Sequence, residues 1–215
     1  KKWDRATSQN VTRFIANSSH TAEQIQQHFG RTSEVLHPPL DTDFYTPDPT
    51  VAREDFWLVV GALEPYKRTD LAIEAAALAN KRLIVVGAGS AQRELTRHAT
   101  RRADSPVEFL GRVSDEMLRD LYRRAELLLF PQIEDFGIIA AEALACGLPV
   151  VARRAGGALD IVQDAINGAY FDEPTPVALA SAAARMIALR THNTSAHCRA
   201  QAEKFSTTNF ERGIT

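Results

Sequence analysis

The stretch Pro131–Val151, PQIEDFGIIAAEALACGLPVV, decides how this chain is read. It joins two apolar runs, Leu127–Phe130 and Pro149–Ala152, through a turn at Phe136 and Gly137 and a segment, Ile138–Cys146, expected to be helical. Glu134 stands just before the turn and Glu142 lies eight positions later, inside the helix. At about 1.5 Å of rise per residue, Glu142 sits only about one turn past the helix start. Both acids and the first free N–H groups of the helix can then face one ligand. A helix N-terminus attracts anions, whereas carboxylates repel them and take hydroxyls. The combination suits a ligand with phosphates in the middle and hydroxyls on either side.

Working outward, the same alternation continues on both sides. Expected strands at Phe56–Val60, Leu83–Val86, Val107–Leu110, Leu127–Phe130, Pro149–Ala152 and Ala169–Phe171 alternate with expected helices. Those helices are Thr69–Asn80, Ala91–Arg102, Ser114–Arg124, Ile138–Cys146, Ala158–Gln163 and Pro176–Leu189. Continuous apolar strands separated by helices predict a parallel sheet covered on both faces, a Rossmann-like doubly wound α/β domain. Upstream, Val11–Ala16 and Ser33–Leu36 read as short strands flanking a helix, Thr21–Phe29, with the capping residues Asn17-Ser18-Ser19 before it and Gly30 after it. Residues 37–55 hold four of the ten prolines and no periodic pattern, and are expected to be a linker.

The 215 residues, 45% hydrophobic with a formal net charge of -2, describe an ordinary globular protein with no general attraction to nucleic acid. No segment approaches the roughly 20 continuous apolar residues of a spanning helix. The polar opening Lys1-Lys2-Trp3-Asp4 gives no expectation of a secretory leader. The two cysteines, Cys146 and Cys198, are too few for a disulfide framework or a zinc site, which fits a reduced, cytoplasmic setting.

Doubly wound sheets bind ligands at the carboxyl ends of their strands, so the loops there carry the chemistry. In Gly61-Ala62-Leu63-Glu64-Pro65-Tyr66-Lys67-Arg68, two cations precede a helix start that prefers anions; either an anionic ligand resolves the conflict or both reach solvent. Gly87-Ala88-Gly89 resembles the start of a dinucleotide fingerprint, but Gln92 occupies the third glycine position, so a tight turn with close packing is the better reading. Ser114 caps a helix, leaving Arg112 exposed at a strand end where it can meet a nucleobase. Gly156-Gly157, after Arg153 and Arg154, reads equally as a flexible turn or as a close approach of backbone to ligand.

GALEPYKRTD, FLGRVSDEMLRDLYRRAELLLFP, the Glu134-x7-Glu142 spacing within EDFGIIAAEALACGLPVVA and the glycine pair of ARRAGGALDIV together resemble retaining glycosyltransferases of family 4, with the two-domain GT-B architecture. The resemblance covers almost the whole chain, matches the carboxy-terminal, donor-binding half, and is strongest to the O-antigen and exopolysaccharide mannosyltransferase branch. It implies that Lys67 pairs with the donor diphosphate, Glu134 holds hydroxyls of the donor sugar and Glu142 chelates the ribose diol. It further implies that Gly61 and the backbone of Phe136, Gly137 and Ile138 approach sugar and phosphate, and that Arg112 and Val113 border the base. Ala62 stands where many relatives carry an arginine, so Arg68 or Arg153 is expected as the second cation.

On this resemblance the partner is a nucleotide sugar, GDP-mannose favoured and a UDP-sugar second, with no metal or other cofactor. The acceptor, a glycan or lipid-linked, would meet an amino-terminal domain of which residues 1–36 are the end. Residues 56–195 would bind the donor and residues 196–215 would cross back. Transfer would occur in the cytoplasm, with peripheral association at the inner membrane face in a full-length form. The alternatives are a phosphorylase or epimerase of the same architecture, or a nucleotide-sugar-binding module without turnover of its own. A nicotinamide dehydrogenase ranks last, because its acid candidate, Glu108, lies inside the strand VEFL.

Overall fold

A computed structural model of the chain describes residues 2–101 and 106–214. Helix α1 (Lys2–Ser8), strand β1 (Ile15–Ala16), helix α2 (Ser19–Phe29) and strand β2 (Glu34–Val35) come first, and β1 and β2 pair in parallel as a separate small sheet. Then follow β3 (Phe56–Val60), α3 (Thr69–Leu78), β4 (Arg82–Val86), α4 (Gln92–Thr100), β5 (Val107–Gly111), α5 (Asp115–Arg124), β6 (Leu127–Phe130), α6 (Ile138–Ala145), β7 (Val150–Arg153), α7 (Ala158–Ile161), β8 (Gly168–Phe171) and α8 (Pro176–Leu189). Helices α9 (Thr194–Ala202) and α10 (Thr207–Ile214) close the chain. Strands β3 to β8 form one six-stranded sheet in the order β5-β4-β3-β6-β7-β8, every neighbouring pair parallel.

The strands read as apolar throughout because both faces are covered. Successive side chains of a strand point to opposite faces. Phe56, Leu58 and Val60 of β3 join Leu128 and Phe130 of β6 in a core with Tyr122, Leu144, Cys198 and Phe205. Trp57 and Val59 join Leu127 and Leu129 on the other face, against Ala72 and Ala76 of α3 and Leu179 and Ala183 of α8. Local chemistry sets the helix starts: the Ser18 hydroxyl accepts the Thr21 N–H at 3.0 Å, Ser114 accepts from Met117 and Thr175 accepts from Ala178.

The differences from the sequence reading lie mostly at element ends. The strand expected over Val11–Ala16 shortens to β1, because its partner β2 has only two residues and engages only Ile15 and Ala16. Helix α1 was not anticipated, since KWDRATS carries no apolar stripe. The helix expected over Ala91–Arg102 runs Gln92–Thr100, and Arg102 lies outside the described residues. Residues 37–55 form no regular element but are well anchored. The Leu40 N–H donates to the Phe205 carbonyl at 2.8 Å, and Leu40 and Tyr45 are buried in the core. Arg53 donates to the carbonyls of Tyr122, Ala125 and Gly147, closing the carboxyl ends of α5 and α6. Among the described residues no helix is long and apolar enough to cross a membrane.

Candidate functional site

The order of the sheet reverses between β3 and β6: β4 and β5 extend one way, β7 and β8 the other. The loops leaving the carboxyl ends of β3 and β6 therefore diverge, and a crevice opens between them. Lys67 reaches it from the first loop, at the end of a 3-10 turn over Pro65–Lys67, and Glu134 from the second. The Lys67 ammonium donates to Glu134 Oε1, and both side chains are largely buried. They line a cavity of about 470 Å³ shared with Asn17, Pro38, Pro39, Gln132, Phe136, Gly137 and Ile138.

The amino terminus of α6 forms one wall of that cavity. Gly137 precedes the helix at φ 102°, and a side chain there would also come within 2.9 Å of the Phe130 ring. The Ala140 N–H is taken by the Gly137 carbonyl at 2.9 Å, whereas those of Ile138 and Ile139 have no backbone acceptor among the described residues. A cation and helix-terminal N–H groups thus converge beside one carboxylate. The Phe136 ring is turned into the core against His37 and Phe205, with ring centres 5.5 and 5.3 Å away, so only its backbone is left for a ligand.

Gly156 and Gly157 hold this loop in place. The Gly157 N–H donates to the Glu134 carbonyl at 2.8 Å, and a Cβ at Gly157 would lie 2.3 Å from the Phe136 carbonyl oxygen. The close approach these glycines permit is to the Glu134 segment, rather than to a ligand. Gly87 and Gly89 behave alike: added Cβ atoms would lie 1.9 Å from the Gly61 oxygen and 2.4 Å from the Leu63 oxygen. Their loop is fastened to the Lys67 loop, with the Glu64 carboxylate accepting from the N–H and hydroxyl of Ser90. Tight packing accounts for the GxG.

Glu142 stands apart from the Glu134 cavity lining, on the inward face of α6. Its Oε2 accepts the hydroxyl proton of Tyr122, a fully buried residue of α5, at 2.9 Å. Burial, and then the neighbouring Asp115 carboxylate, raise its pKa from 4.5 to about 7 against the opposing effect of the Tyr122 bond. A partly buried carboxylate with one oxygen committed to Tyr122 suits a group that donates hydrogen bonds and restores its charge.

The remaining expected site residues are distributed unevenly. Gly61 closes β3 at φ 150°, with space around its Cα out to Ile139. Arg112 is exposed beyond β5, and Val113 packs partly on the core. Arg68 does not join Lys67. It takes a left-handed conformation at φ 54° and its guanidinium turns to Asp70, as close as 3.1 Å. There it lines a different cleft of about 510 Å³ between α3 and α4, with Glu94, Arg97 and His98. That cleft is the larger of the two, but Arg68 is held there by Asp70 and His98 Nε2 lies 3.1 Å from the Glu74 carboxylate, while the free backbone donors converge in the smaller one. Asn17, Pro38, Pro39 and Gln132 were not anticipated in the site. Asn17 reads as a helix cap and the prolines as linker, and no local pattern marks Gln132. No group of metal-ligating side chains assembles among the described residues.

The glycosyl transferases group 1 family matches residues 47–205. A D-inositol 3-phosphate glycosyltransferase of Geodermatophilus obscurus is 36% identical over 90% of this chain and 49% of its own length. One of Mycolicibacterium smegmatis is 37% identical over 74% of this chain and 42% of its own length. The chain therefore spans about half the length of the curated relatives it matches. Among solved structures, Anabaena HepE in complex with UDP superposes with a TM-score of 0.83 at 25% identity, over 95% of this chain and 62% of that one. Sucrose-phosphate synthase of Thermosynechococcus elongatus gives 0.86 at 19% identity, over 98% and 58%, a likeness of fold. A doubly wound sheet with its crevice at the strand reversal, matched by the family over most of its length, makes this chain a member of the glycosyl transferases group 1 family.

Proposed function

We propose that this chain is the donor-binding half of a retaining hexosyltransferase, taking a nucleotide sugar in the crevice between β3 and β6. The observation that carries this reading is the convergence of Lys67, Glu134 and the free N–H groups of α6 at the strand reversal. On this reading the diphosphate lies against Lys67 and the Ile138 and Ile139 amides, with the Gly61 and Gly137 backbones beside it. Glu134 accepts hydroxyls of the sugar, Glu142 takes the ribose diol, and Arg112 and Val113 border the base. Departure of the nucleotide builds negative charge on the leaving phosphate. Lys67 and the fixed amides stabilise that charge more than the ground state, without a metal ion. Neither glutamate acts as acid or nucleophile, unlike the paired carboxylates of glycosidases.

Donor identity departs from the sequence expectation. The resemblance to the family 4 mannosyltransferase branch favours GDP-mannose, whereas HepE has been crystallised with UDP and UDP-glucose. We therefore place UDP-sugars first and GDP-mannose second. Residues 1–36 fit the end of an acceptor domain, residues 37–55 the passage to the donor domain of 56–195, and residues 196–215 the return. The acceptor hydroxyl would be presented by the half of the relatives' length that this chain does not span. Thermal shifts with UDP, GDP and ADP test the reading: UDP is expected to raise the midpoint most, and Lys67→Ala to abolish the rise. No shift with any of the three would refute it.

A further inference from the structure

Gln132 is the unexplained polar group of the cavity. It lies between Phe130, the last residue of β6, and Glu134, is only 3% exposed, and lines the cavity with Lys67 and Glu134. The residue is buried, but no hydrogen bond engages its amide among the described residues, and the amide is open to the cavity instead of being sealed in the interior. Of the other polar side chains there, Lys67 is paired with Glu134 and Asn17 Oδ1 accepts from the Thr21 hydroxyl at 2.7 Å, while Asp135 is exposed to solvent.

An amide offers a donor and an acceptor at once. A phosphate accepts only, so it would leave the amide oxygen unsatisfied, and Lys67 with the α6 N–H groups already supplies donors for an anion. A sugar hydroxyl both donates and accepts and satisfies both ends of the amide. Resting on the nucleotide-sugar reading above, we infer that Gln132 hydrogen-bonds a hydroxyl of the transferred sugar and helps select it, beside Glu134.

Titration calorimetry of the whole chain with UDP, UDP-glucose, GDP and GDP-mannose tests this, comparing wild type with Gln132→Met, which keeps the shape and removes the amide, and with Gln132→Ala. For the nucleotide that wild type binds, both variants are expected to weaken the nucleotide sugar about tenfold while leaving the nucleoside diphosphate within about twofold. Retained diphosphate binding also shows that the variants fold. Equal weakening of both ligands, or an unchanged nucleotide-sugar affinity, overturns the Gln132 assignment and leaves the donor-site reading standing. A wild type that binds none of the four overturns both.

Discussion

Replacing Glu142 by glutamine is expected to stabilise the ligand-free protein in mild alkali. Burial, with the neighbouring Asp115 carboxylate, raises the Glu142 pKa from 4.5 to about 7 against the opposing effect of the Tyr122 bond. The raised value means that the folded state holds its proton through a pH range in which the unfolded chain has released it. Stability from this group is thus complete below pH 4.5 and is lost as pH rises through about 7. At about 1.4 kcal/mol per pH unit, the loss amounts to about 3 kcal/mol. Glutamine keeps an oxygen for the Tyr122 hydroxyl and carries no charge, so it escapes the loss. Urea unfolding of both proteins at pH 4.5 and pH 8 measures the effect, since other titrating groups cancel between them. The variant should gain about 2–3 kcal/mol over wild type on going from the acid to the alkaline condition. A difference that stays the same at both pH values would refute the assigned environment of Glu142. If Glu142 takes the ribose diol as proposed, the hydroxyls would donate to its ionised form, and nucleotide affinity should rise with pH through about 7 and then level off.

Three further outcomes follow from the geometry. Glu134→Gln frees the Lys67 ammonium and removes a like charge from the anion site, so nucleoside diphosphate should bind up to about fivefold more tightly by calorimetry, while turnover in a full-length enzyme falls. Gly157→Ala brings a Cβ against the Phe136 carbonyl and displaces the Glu134 segment; a loss of at least about 2 kcal/mol in urea unfolding, together with loss of nucleotide binding, is the expected signature. Gly89→Ala should destabilise comparably through the Leu63 backbone, and NAD should give no thermal shift with the native chain, because the glycine loop is packed against its neighbour.

The layered fold was legible because its signal is local and repeated. FWLVV, LLLF and the other strand runs are apolar throughout only if both faces are covered, and their alternation with helices leaves little choice of architecture. Lys67 and Glu134 were legible as loop residues, but their ion pair was not, since 67 positions separate them and only the strand reversal brings them together. The glycine pairs show a different limit. Sequence marks Gly87, Gly89, Gly156 and Gly157 as points of close approach without saying to what, and the partners are neighbouring loops. Arg68 follows Lys67 in sequence, but charge alone does not reveal the direction of the backbone, and the left-handed turn sends its guanidinium to Asp70. Gln132 carries no pattern at all, and it stands out only through its burial beside a cavity.

On the proposed reading, the crevice between β3 and β6 binds the diphosphate of a nucleotide sugar through Lys67 and the start of α6. Titration calorimetry of UDP into the wild-type chain and into Lys67→Ala tests it most directly. Saturable binding by wild type, weakened at least about tenfold in the variant, is expected. Equal affinity in the two proteins would contradict it.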